Sequence, residues 1–178
     1  TVKAQALKKV RVAAAPKLCD AVTKQMSHLQ MGSAQIELNF EDLPFEQWNK
    51  VGSTKIELMY KPSAQMTARP LRKIASGGEV SRVMLACKVV LGESDVCDTL
   101  VFDEVDAGVG GATAVALAEV LAQLAKTHQV IVVTHLPQVA VMASKQYVVS
   151  KTEEHNALPI TSLTEVSGTQ REEEIARM

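Results

Sequence analysis

Apolar residues recur at steps of three and four from Lys3 to about Leu29, at Leu7, Val10, Ala14, Leu18, Ala21, Val22 and Leu29, while Lys3, Lys8, Lys9, Arg11 and Lys17 fall mostly elsewhere. That spacing predicts an amphipathic helix, with Gly32 ending it because glycine takes the left-handed conformation that closes a helix. The period then shortens to two. AQIELNFE (34–41) and KIELMY (55–60) alternate polar and apolar positions on either side of a loop around Pro44 and Gly52, and they predict an antiparallel pair of strands. KPSAQMTARPLRKIA (61–75) carries two prolines and no period, so it predicts a connector.

From Ser76 the pattern alternates between helix and strand. Helices are expected at SGGEVSRVMLACKVVL (76–91), ATAVALAEVLAQLAK (112–126) and, briefly, LPQVAVMA (136–143). Strands are expected at TLVF (99–102), QVIVVT (129–134), QYVVS (146–150) and near 160–166, before a closing helix. Strand–helix–strand alternation with apolar, β-branched strands implies an α/β fold, a mainly parallel sheet flanked by helices. No internal repeat and no low-complexity segment interrupts it.

The chain has 178 residues, 47% of them hydrophobic, enough for one domain or a large part of a bigger one. Its formal charge of −1 points neither to bulk attraction for nucleic acid nor to an acidic tail, so any DNA contact is a local patch. Cys19, Cys87 and Cys97 are odd in number and lack C-x-x-C spacing, which favours a reduced, cytoplasmic protein. No apolar run approaches the roughly 20 residues of a bilayer span and no signal peptide opens the chain, so a soluble protein without a membrane partner is expected. Thr1 stands where a helical pattern is already under way, which suggests a piece excised from a longer polypeptide.

A right-handed crossover makes strands 99–102 and 130–134 parallel, and brings Asp103, Glu104 and His135 to one sheet edge. Open α/β sheets bind ligands at that edge. An aspartate there can hold Mg²⁺ through water, and the residue after it can orient or deprotonate an attacking water. A solvated strand end explains a bare acidic pair equally well, and the threonine–histidine pair at the next strand end tips the balance towards chemistry. SGGE also has two readings. Ser76 and Glu79 form a capping box, or Ser76, Gly77 and Gly78 bring a phosphate close to the backbone N–H groups of a helix N-terminus. Arg69, Arg72, Lys73 and Arg82 are either a solvated face or contacts to phosphate. The methionines at 26, 59, 66, 84 and 142 read as core filler, and His28, His128 and His155 show no metal-ligand spacing.

A phosphate-binding loop G-x-x-x-x-G-K-[ST], the Walker A motif, matches no segment; GVGGATA (108–114) has glycines and no lysine. Three motifs nevertheless resemble one family. IASGGEVSRVMLA is similar to the signature motif of ATP-binding-cassette ATPases, TLVFDEVDAGVGG to their Walker B motif and D-loop, and VIVVTHLPQVA to their switch histidine. Glutamate after the glycines and valine, not proline, after Glu104 resemble the SMC-like chromosome-maintenance and DNA-repair branch. Within that branch, THLPQVA with GVGG is similar to the bacterial double-strand-break repair members. The match runs from about Pro70 to Ser150, with weaker similarity in the first helix and in REEEIARM.

The resemblance implies the C-terminal lobe of an ABC/SMC-type P-loop NTPase head, with residues 1–30 as the end of a coiled-coil arm entering the head and 31–178 as the lobe itself. It implies ATP and Mg²⁺ as cofactors, with Asp103 on the metal, Glu104 as general base and His135 sensing the γ-phosphate. Ser76, Gly77, Gly78 and Glu79 of the signature would meet ATP held by a second head, and Asp106 would couple the two sites across that dimer. The implied partners are the N-terminal Walker A lobe of the same protein, a second head bridged by ATP, and double-stranded DNA with ends. The implied function is DNA-stimulated ATP hydrolysis in double-strand-break repair and recombination, in a nucleoid-associated protein. ATP binding would close the heads and hydrolysis release them, and the chain alone would be inactive. A transporter cassette and a non-catalytic DNA-tethering module are the alternatives.

Overall fold

The N-terminal pattern forms a single helix, α1 (Val2–His28), in a computed structural model that describes residues 2–94, 97–152 and 160–178. Only its last part enters the core: Val22 and Met26 are buried, as is Leu29 just past its end, whereas Val2, Leu7, Val10 and Val12 face outward. The apolar stripe is therefore real in sequence but is covered over less than half its length. The outer part is tethered by polar contacts, with Lys8 Nζ 2.6 Å from Asp42 Oδ2 and Arg11 donating to the Val51 carbonyl at 2.7 Å. The helix runs through Pro16, which has no N–H to offer the Val12 carbonyl. It closes at His28, and Gly32 follows at φ 63°.

The two alternating segments pair antiparallel as β1 (Gln35–Asp42) and β2 (Thr54–Lys61), with Gln35 opposite Lys61 and Asp42 opposite Thr54. Part of the expected connector is also strand. Arg69–Pro70 forms β3, a two-residue edge against Met59 and Tyr60, and a proline is tolerated there because an edge leaves one side of the strand unpaired.

The alternating half yields α2 (Gly77–Leu91), β4 (Thr99–Phe102), α3 (Gly111–Leu124), β5 (Gln129–Val132), a one-turn α4 (Pro137–Ala140), β6 (Gln146–Thr152), β7 (Ile160–Val166) and α5 (Gly168–Arg177). β4 and β5 are parallel, with Leu100 opposite Val130 and Phe102 opposite Val132. Parallel pairing stops there among the described residues. β6 follows the alternation in sequence but pairs antiparallel with β7 along its whole length, so the sheet is less parallel than the pattern implies. His155 lies outside the described residues.

The core sits where α1, α2 and α3 meet β4. Val83, Leu85 and Ala86 of α2, Leu100 and Phe102 of β4, and Leu117 and Leu121 of α3 pack with Met26, Ile36 and Tyr60. Burying each large aliphatic side chain stabilises the fold by about 1.5–3 kcal/mol. Met26 belongs to this core, but Met66, Met84 and Met142 are exposed and fill nothing. β4 buries Leu100 and Phe102 and turns Val101 outward, where its register partner Ile131 is also exposed. His128 is buried, with Nδ1 2.8 Å from the Thr127 hydroxyl.

Burial pushes the Cys87 thiol of α2 up to about 11, with the nearby Cys19 adding to the shift, and burial raises Cys19 as well. Because the thiolate is the nucleophile, only roughly a thousandth of Cys87 is reactive at pH 8. Iodoacetamide at pH 8 is expected to alkylate the exposed Cys97 first and leave Cys87 unmodified until the pH nears 11 or the fold opens. Peptide mapping that finds Cys87 and Cys97 modified at equal rates would contradict the packing of α2.

Candidate functional site

Two loops and one helix N-terminus meet at the carboxyl ends of β4 and β5. The helix is α2. Ser76 is its N-cap, in extended backbone, and its Oγ accepts from the Glu79 N–H at 3.3 Å. The expected capping box is only half used, because the Glu79 carboxylate goes instead to Tyr60, whose hydroxyl donates to Oε1 at 3.3 Å. Tyr60 is buried, and burial, reinforced by the charge of Glu79, pushes its phenol up to about 12.

The two glycines after the cap have a reason in this chain alone. A Cβ on Gly77 would lie 2.3 Å from Glu104 Oε2, and one on Gly78 would lie 2.9 Å from Ala107 Cβ and 3.1 Å from the Glu104 carbonyl. SGGE is thus glycine-rich because the loop after β4 packs on it. Phosphate access is not needed to explain the pair, although Gly77 is exposed.

That loop leaves β4 at Asp103. Asp103 and Glu104 are exposed, and Val105 and Asp106 are buried. Glu104 adopts φ 55°, the left-handed region, which an L-residue with a long side chain enters at a cost of about 1–2 kcal/mol. Bonds from the Ala107 N–H to the Glu104 carbonyl and from the Val109 N–H to the Asp106 carbonyl, each 3.0 Å, close the turn. α2 then clamps it from the side. Ser81 donates to the Asp103 carbonyl at 2.8 Å, and Arg82 Nη1 donates to the carbonyls of Val105 at 3.2 Å and Ala107 at 2.9 Å. Arg82, left between two readings in the sequence, is used on backbone, and Arg72 pairs with Glu57 at 2.6 Å, which holds that carboxyl below its usual range.

The second loop, after β5, is tied to the first by Asp106, which is 3% exposed. Its Oδ2 accepts the Thr134 hydroxyl at 2.5 Å and the His135 N–H at 3.0 Å, and lies 3.1 Å from His135 Nδ1. With Nδ1 engaged there, Nε2 has no partner among the described residues, and the ring is 71% exposed. Thr134 Oγ1 in turn accepts the Leu136 N–H at 3.0 Å. One oxygen of the Asp106 carboxylate is therefore engaged within its own chain.

The structure brings Gly77 and Gly78 against Glu104, and Asp106 against His135. Asp103 faces solvent beside Glu104. Tyr60 and Ser81 support the site and were not singled out in the sequence; for Ser81 the signal is its place in the first turns of α2 after the Ser76 cap. No group of three or more His, Cys, Asp or Glu is gathered for a metal among the described residues. Two adjacent exposed carboxylates are hard oxygen donors, a set that suits a Mg²⁺ shared with waters and substrate phosphates and not an all-protein cage.

No protein-family model matches the chain. Curated proteins do. It is 40% identical over 185 residues to the DNA repair protein RecN of Streptomyces coelicolor, covering 98% of this chain and 32% of that protein. It is 41% identical over 174 residues to the DNA repair protein RecN of Deinococcus radiodurans, covering 98% and 30%. The RecN of Treponema pallidum is 46% identical over 127 residues, covering 71% and 22%. The chain thus spans about a third of the length of the first curated relatives it matches. Among solved structures it is similar to the Smc head domain with a coiled coil and joint from Pyrococcus yayanosii, with a TM-score of 0.61, 18% identity, and 90% of this chain and 28% of that one covered. A structure from work on ATP-driven dimerization and DNA stimulated activation of SMC ATPases matches at a TM-score of 0.55 and 19% identity, with 96% of both chains covered. At these identities the structural likeness establishes the fold, and the sequence likeness establishes the kinship: the chain belongs to the RecN family of DNA repair proteins and is folded as the C-terminal lobe of an SMC-type ATPase head.

Proposed function

We propose that this chain supplies one half of an ATP-hydrolysing site in DNA double-strand-break repair and recombination, and that it works only with an N-terminal Walker A lobe and a second head. The observation that carries the reading is the closed hydrogen-bonded edge at which Asp103, Glu104, Asp106 and His135 meet the N-terminus of α2. Phosphoryl transfer is catalysed mainly by positioning and by charge stabilisation, and this edge is a positioned set.

In this reading Asp103 holds Mg²⁺ through water, and the bound ion would neutralise charge on the phosphates. Glu104, held out by its left-handed backbone, accepts a proton from the attacking water. Asp106 fixes the His135 ring through Nδ1, so that Nε2 is presented to the γ-phosphate. Ser76, Gly77, Gly78 and Glu79 meet the nucleotide of the second head, so that ATP bridges two heads and hydrolysis releases them. The outward Val101 of β4 and Ile131 of β5, with Val133 just past the end of β5, support a covering lobe, because apolar side chains on a sheet face gain by being buried. The uncovered outer part of α1 supports a division into an arm at residues 1–30 and a lobe at 31–178, the arm pairing with a second helix. The proposed partner of the assembled protein is double-stranded DNA with ends, in the cytoplasm and at the nucleoid.

Mixing the chain with the N-terminal lobe is expected to restore DNA-stimulated hydrolysis, with Glu104→Gln lowering kcat at least about a hundredfold at unchanged ATP affinity. Full turnover by Glu104→Gln would remove Glu104 from the role of base. The glycines separate packing from chemistry. Gly78→Ala meets Cβ and backbone, and should lower the melting temperature. Gly77→Ala meets only the end of a flexible side chain, so it should cut kcat by displacing Glu104 while leaving the melting temperature within a few degrees. Ser76→Arg is expected to block ATP-dependent head dimerisation and spare ATP binding; light scattering that still detects an ATP-dependent dimer would argue against a role in trans.

A further inference from the structure

The tail REEEIARM folds as α5, an element with no part in the reading above. From near its start, Arg171 reaches across to the segment after β5. Its Nη2 lies 3.1 Å from the Ala140 carbonyl, 3.2 Å from that of Val141 and 2.7 Å from that of Ala143, and its Nε donates to Gln146 Oε1 at 3.3 Å. Those carbonyls lie at and just beyond the C-terminus of α4. A helix of four residues satisfies few of its own carbonyls and is far below the roughly 12–15 residues at which a helix persists unaided. It has to be held from outside. Val139 and Ala140 hold it by burial, and the Arg171 guanidinium places a positive fork on the negative end of the turn.

The other end of the same segment is the one that Asp106 holds, through Thr134 and His135. Residues 134–143 are therefore a short span pinned at both ends by charged side chains from elsewhere in the chain, and the exposed His135 ring rides on it. With one pin removed, the turn keeps its burial but loses its fixed path. A change too small to unfold the protein would still turn the ring, and misplacing a catalytic contact by about 1 Å is enough to cost turnover.

We propose that Arg171 is a positioning residue for His135: it sets the direction of that ring by capping the turn that follows it, and so makes α5 part of the nucleotide site. This rests on His135 contacting the γ-phosphate, as proposed above. The test uses the complete head, this chain joined to its N-terminal lobe and provided with DNA. Arg171→Ala is expected to lower kcat for ATP about tenfold with KM for ATP changed by less than about twofold. Arg171→Lys, which keeps a cation but not the fork, should recover part of the loss. In a His135→Ala background, Arg171→Ala should cost less than about a further twofold, because what it positions is gone. Equal losses in both backgrounds, or no loss in the first, would overturn the proposal. If Arg171→Ala fails to fold by circular dichroism, the same cycle run with Arg171→Lys decides it, by whether its smaller loss vanishes with His135. Glu104→Gln is measured alongside. Full hydrolysis by that variant would defeat the proposed function itself, whereas a dead Glu104→Gln beside a fully active Arg171→Ala would defeat this inference alone.

Discussion

One carboxylate oxygen holds the site together. Asp106 Oδ2 gathers the Thr134 hydroxyl and both the backbone N–H and the ring of His135. A carboxylate that is 3% exposed is costly unless it is hydrogen-bonded, so this interaction is as much a demand as a contribution. Losing one partner would cost about 1–3 kcal/mol, because the charge would remain buried and short of donors. β4 and β5 are four residues each and could not fix the loops that leave them without such a link. Through it, the order that α2 imposes on the first loop is passed to the second.

The positioning forms a continuous series. The packed body of α2, with Val83, Leu85 and Ala86 in the core, carries Ser81 and Arg82 at fixed height beside the first loop. Those two side chains bond main-chain carbonyls and read no side chain, so they set the loop's shape whatever its sequence. Asp106 then bridges to Thr134, whose hydroxyl serves both that carboxylate and the Leu136 N–H at the start of α4. The first link runs from a helix to a loop, the second from that loop to the next one, and the last from that loop to the start of α4.

The parts legible in the sequence were those that periodicity or a strand-end motif controls. The helix from Lys3, the pairing of 34–41 with 55–60, and the parallel pairing of β4 with β5 follow from local spacing and from crossover handedness. What was not legible depends on partners distant in sequence. The burial of α1 is decided by where α2 and β1 end, and an apolar spacing is the same whether or not anything covers it. The pairing of β6 with β7 turns on which strand is nearest in space, and alternation along the chain is silent about that. The glycines of SGGE look like a phosphate cradle in isolation, and their closest neighbours are a glutamate and an alanine 27 and 29 positions onward in the same chain. Arg171 lies in a segment of only weak similarity, and a basic residue among acidic ones on a polar helix is the common pattern of a solvated face.

The backbone of Glu104 carries a further consequence. Its left-handed conformation is one that glycine or asparagine would occupy with less strain, so local conformational preference runs against the residue that stands there. Replacing Glu104 by glycine would relax the turn, so at this one position the backbone conformation and the side chain it carries pull in opposite directions.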